Sequence, residues 1–79
     1  MLHALTPRIY YSDFVERGDR PALGLIRGED ACLVVDGGNS RAHAQAFLSS
    51  LPQDLPPLRW LAVTHWHWDH VFGAAAMGL

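Results

Sequence analysis

Between Thr64 and Gly73 the sequence reads THWHWDHVFG, and four of its side chains, His65, His67, Asp69 and His70, are of metal-ligating type. Residues i and i+2 of an extended segment project to the same side, so His65 and His67 at a strand end can aim two imidazoles at one ion. Imidazole nitrogens at about 2.0–2.1 Å are favoured zinc ligands. Asp69 and His70 follow at once, where the chain turns towards a helix, and a turn can direct an adjacent carboxylate and imidazole to a second point nearby. Such a cluster suggests two neighbouring metals. Taken singly, each histidine reads as a surface or hydrogen-bonded residue and Asp69 as a helix N-cap. Three histidines and an aspartate at this spacing, directly after an apolar strand, are much harder to explain that way.

The other histidines are His3 and His43. His3 lies near a terminus expected to fray, and His43 in the first turn of an expected helix outside its apolar stripe, so both are expected at the surface. Trp66 and Trp68 alternate with the metal-ligating residues. They either pack into the core or wall a substrate pocket, and packing is the favoured reading because large aromatics usually contribute buried area first.

Positioning these residues requires a sheet. Ile9 to Phe14 reads as a short strand, and Ala22 to Arg27 with Ala31 to Val35 as a hairpin turned by Gly28, Glu29 and Asp30. The run ACLVVD has the continuous apolar character expected when both faces of a sheet are covered. Asp36-Gly37-Gly38-Asn39-Ser40 breaks that strand, and Asn39 or Ser40 suits the start of a helix. Ala44, Phe47, Leu48 and Leu51 then form one apolar stripe at helical spacing. Pro52, Pro56 and Pro57 end the helix. Leu58 to Thr64 reads as a buried strand delivering His65 to its end, followed by a loop and a helix starting near Asp69 or His70. The order is α/β, a sheet that needs layers on its faces. Leu79 arrives before the second helix is complete, so residues 1–79 are expected to form one partial domain, stopping in mid-fold.

Composition narrows the partners. With 79 residues, 49% hydrophobic and 18% charged, the chain is globular in character. A domain of this size buries only about 60% of the surface its unfolded chain exposes, so its core is marginal. Net charge is −2 and the six cations are scattered arginines, which argues against nucleic acid as a partner. No segment approaches the roughly 20 apolar residues of a membrane span, and the start lacks a secretory pattern, so no membrane contact and a cytoplasmic location are expected. Cys32, the lone cysteine, is expected to be a small buried hydrophobe.

THWHWDH resembles the H-x-H-x-D-H motif of the metallo-β-lactamase superfamily, and Val71-Phe72-Gly73 resembles the apolar-apolar-Gly that often follows it. LVVDGGNS, Leu33 to Ser40, is similar to the family's earlier strand ending in Asp-Gly, which supports the metal loop structurally. The resemblance spans about Ile9 to Gly73 and implies the N-terminal part of an αββα sandwich. It implies His65 and His67 as ligands of a first metal, and Asp69 and His70 as ligands of a second, with Asp69 also orienting the attacking water. The two further histidines and the bridging aspartate that complete such sites are not among these residues.

The activity so implied is that of a di-zinc hydrolase, in which a metal-bound hydroxide attacks an ester, thioester, lactone or amide of a small-molecule substrate. Iron or manganese suits the same donors, which leaves an iron-dependent oxidoreductase as an alternative, and a non-catalytic metal-binding remnant as another. The chain by itself is expected to be inactive and, having an open sheet face, to self-associate.

Overall fold

The computed structural model describes residues 2–79. A five-stranded sheet runs in the order β1 (Leu2–Thr6), β2 (Ile9–Ser12), β3 (Gly24–Arg27), β4 (Cys32–Val35) and β5 (Leu58–Ala62). Neighbouring strands are antiparallel until β4, which pairs in parallel with β5. A parallel pair needs a crossover, and here it contains helix α1 (Arg41–Ser50). Helix α2 (Trp68–Val71) and a 3₁₀ turn, Ala74–Met77, follow β5.

Each element has a local cause. At the β3–β4 turn the Gly28 N–H donates to the Ala31 carbonyl at 2.9 Å. Ser40 is the N-cap of α1, its hydroxyl accepting from the His43 N–H at 3.1 Å. The expected stripe of α1 faces the sheet: Ala44 and Phe47 are buried, and Leu48 and Leu51 pack against them. Opposite lie Leu25 and Val34, which are register partners on β3 and β4, together with Cys32; Met77 of the 3₁₀ turn closes the cluster.

Among the described residues, only one face of the sheet is covered. Ile9, Ile26, Leu33 and Trp60 are successive register partners across β2 to β5 and form an apolar row on the other face. Ile9, Ile26 and Trp60 are exposed. Two expectations therefore change. β4 is buried only at alternate positions, Cys32 and Val34, because no layer covers Leu33 and Val35. β5 is an edge strand with no buried residue, not the buried strand expected from its apolar run, and it ends at Ala62. The amino terminus also differs: His3 lies within β1, pairing with Tyr11, and its ring hydrogen-bonds Asp13. That imidazole is the main influence holding the Asp13 carboxyl below its ordinary range.

No helix among the described residues is long and apolar enough to cross a membrane.

Candidate metal centre

Chain reversal at the carboxyl end of β4 brings the centre together. Asp36, directly after β4, has a left-handed backbone (φ 67°), a conformation that aspartate tolerates better than most residues. Its N–H continues the parallel ladder by donating to the Ala62 carbonyl at 2.7 Å. Its side chain is buried and turns to the segment after β5. Oδ1 accepts from the Thr64 N–H at 2.8 Å, the Thr64 hydroxyl lies 3.0 Å from both carboxylate oxygens, and Oδ2 lies 2.8 Å from His70 Nδ1. One carboxylate thus ties both ends of the histidine segment to β4.

Two glycines allow the backbones to meet. Gly37 donates to the His70 carbonyl at 2.8 Å, and Gly73 donates to the Gly38 carbonyl at 3.0 Å. A Cβ on Gly73 would stand 2.3 Å from the Gly37 carbonyl oxygen, and one on Gly37 would stand 2.8 Å from the Ala74 Cα. The Asp-Gly-Gly loop therefore clasps the turn that carries His70.

His65 and His67 lie on the same side, their ring centroids 5.1 Å apart, and the His65 and His70 rings are 4.1 Å apart. His65 Nδ1 is 3.0 Å from the Thr64 hydroxyl. His67 is the backbone N-cap of α2, which places Asp69 in its first turn and His70 in its last. Asp69 Oδ1 stands 3.7 Å from His70 Nε2 and is buried with no hydrogen-bond partner. A buried carboxylate oxygen without a donor is costly unless a cation approaches it.

Among the described residues, no set of three or more His, Cys, Asp or Glu side chains is grouped so that it could hold a metal ion as it stands. His65, His67, Asp69 and His70 are neighbours without being a closed cage. What suits a cation chemically is the donor-less Asp69 Oδ1 beside His70 Nε2, with the His65 ring next to that of His70, at the carboxyl ends of two parallel strands, where α/β sheets bind ligands.

Three side chains depart from the sequence reading. His43 is buried at 5% exposure, not at the surface. The Gly37–Gly38 loop wraps beside it, a Cβ on Gly38 would stand 2.9 Å from its Nδ1, and that nitrogen accepts from the Asn39 N–H at 3.1 Å. Burial, with the Arg20 charge adding to it, pushes its pKa below the ordinary 6.5. Trp66 and Trp68 are 83% and 45% exposed, against the core packing expected of them. Trp66 meets His67 edge-on, and Trp68 lies against the exposed Phe72, because the short α2 buries no residue. Thr64 was not singled out by sequence reasoning. Its signal was a hydroxyl immediately before the first histidine, inside a segment read only as strand.

The family model described as the metallo-beta-lactamase superfamily matches residues 19–77. No curated protein matches the chain. The matched stretch includes both the Asp-Gly-Gly loop and the whole histidine segment, the two pieces that Asp36 joins, and the chain belongs to the metallo-beta-lactamase superfamily.

Proposed function

We propose that this chain carries the first metal-binding segment of a metal-dependent hydrolase, most simply a di-zinc enzyme, and corresponds to the N-terminal part of an αββα sandwich. The observation that carries the reading is Asp69 Oδ1, buried without a donor and 3.7 Å from the His70 imidazole, whose ring is in turn 4.1 Å from that of His65. In this reading His65 and His67 serve a first metal, and Asp69 and His70 a second.

A bound divalent metal would supply Lewis acidity and lower the pKa of a water from 15.7 to about 7. The protein's own residues do the positioning. Asp36 holds His70 and Thr64 against β4, so the imidazoles stay in place while substrate binds. Asp69, fixed in the first turn of α2, presents a carboxylate that can accept the proton of an attacking water and orient it. The reaction class is hydrolysis of an ester, thioester, lactone or amide in a small-molecule substrate. The exposed Trp66, Trp68 and Phe72 beside the histidines offer an apolar wall for it.

The chain alone is proposed to turn over little or no substrate, because four ligands leave each site dependent on water. Calorimetric titration with zinc tests the reading. Weak, saturable binding is expected, lost in His65→Ala and His67→Ala and retained in His3→Ala. Binding that survives both motif substitutions would place the metal elsewhere. Metal analysis of the purified protein separates zinc from iron.

A further inference from the structure

A cavity of about 150 Å³ lies between α1 and the connection from β2 to β3, and none of its lining residues comes from the histidine segment. His43 forms part of its wall and is 5% exposed. Its Nδ1 accepts from the Asn39 N–H at 3.1 Å, which leaves the proton of a neutral imidazole on Nε2. Burial favours that neutral form. Nε2–H has no partner among the described residues. It is not sealed off either, because Asp69 Oδ1 is the one fully buried side-chain atom without a partner among them. The donor therefore opens on accessible space, and the cavity is the space that His43 lines.

Arg20 lines the same cavity, and its guanidinium has no ion pair or hydrogen bond among the described residues. The loop that carries it is held in place. Val15 and Arg20 exchange backbone hydrogen bonds of 2.8 and 3.0 Å, and Asn39 Nδ2 donates to the Gly18 and Asp19 carbonyls at 2.7 and 3.1 Å. Asn39 thus fixes the His43 ring through its N–H and the Arg20 loop through its side chain. A third donor is the Ser12 hydroxyl, which accepts from the Leu23 N–H at 2.8 Å and keeps its own proton to give. The rest of the wall includes Val15, Ala46 and Phe47, which are apolar. We propose that this cavity binds a small monocarboxylate, whose carboxylate accepts from the Arg20 guanidinium and His43 Nε2–H and whose hydrocarbon end lies against Val15, Ala46 and Phe47. A planar guanidinium matches a carboxylate with two parallel hydrogen bonds. A cavity of about 150 Å³ holds a molecule of about six heavy atoms. Asp13 also lines the wall, and its charge counters that of Arg20, which favours a monoanion over a dianion such as phosphate.

The test is a titration of the metal-free, ¹⁵N-labelled full chain with sodium butyrate, which has six heavy atoms. The His43 Nε2 and Arg20 Nε signals are expected to shift together and saturate, with the Phe47 amide following. 1-Butanol supplies the tail without the charge and inorganic phosphate the charge without the tail, and each is expected to bind at least about 10-fold more weakly. Arg20→Gln is expected to weaken butyrate by a similar factor, about 10-fold or more, and to leave the fold unchanged, since that side chain holds no other group. Arg20→Lys, which keeps the charge and loses the fork, should fall between the two. The absence of saturable shifts with butyrate would leave a solvent-filled cavity only and overturn the proposal. So would butanol binding as tightly as butyrate, phosphate binding as tightly, or butyrate binding that survives Arg20→Gln. None of these outcomes depends on whether the histidine segment holds metal.

Discussion

Burial makes His43 a source of acid sensitivity. The ring is 5% exposed, accepts a hydrogen bond from the Asn39 N–H at Nδ1, and sits near Arg20, so its folded-state pKa is depressed by burial first and by that charge second. The unfolded chain has the ordinary value of about 6.5 and binds the proton more readily. The contribution of neutral His43 is therefore full above that value and is lost as pH falls through it towards the folded pKa. Urea unfolding at pH about 7.5 and about 5.5 is expected to show a smaller acid loss in His43→Gln than in the unsubstituted chain. Equal losses would remove His43 as the cause. Helical spacing could not reveal this role, because His43 is off the apolar stripe and is buried by the Gly37–Gly38 loop, a neighbour that periodicity along the helix does not report.

Among the elements, the closest approach lies between the Asp-Gly-Gly loop and the turn after α2. Gly73 has an ordinary φ of −88°, so its requirement is spatial: a side chain there meets the Gly37 carbonyl at 2.3 Å and the Ser40 carbonyl at 2.5 Å. Gly73→Ala is expected to destabilise the fold by about 1–3 kcal/mol, the usual range for overpacking. It should also weaken zinc binding, because the Gly73 and His70 backbones are held by the same loop. Denaturant midpoints and zinc titration of this variant check both effects, and an unchanged midpoint would show that the loops separate freely. Much at this scale was legible beforehand. Chemical patterning marked the hairpin, a cap at Asn39 or Ser40, the stripe of α1 and a helix start near Asp69 or His70, because each depends on residues close in sequence. Burial of β4 and β5 was not, since an apolar run looks alike whether one or both faces are covered.

For the whole molecule, the open sheet face is the dominant feature. Ile9, Ile26 and Trp60 lie along one row with Leu33, exposed on the side away from α1. Contiguous apolar surface of this kind marks an interaction site. The isolated chain is expected to associate with itself in a concentration-dependent manner. Sedimentation should show that Ile26→Asp with Trp60→Asp shifts it towards monomer without loss of helix signal. Association unaffected by this pair would move the contact off the row.

Metal ligation by His65, His67, Asp69 and His70 is read by following every imidazole nitrogen during a zinc titration of the ¹⁵N-labelled chain. Nitrogens of His65, His67 and His70 are expected to shift together and saturate, while those of His3 and His43 stay in place. In Asp69→Asn the His70 response should weaken more than that of His65, since the two sites lose different ligands. Saturable shifts at His3 or His43 with the motif histidines unmoved, or no shifts at any zinc concentration the folded chain tolerates, would contradict the account.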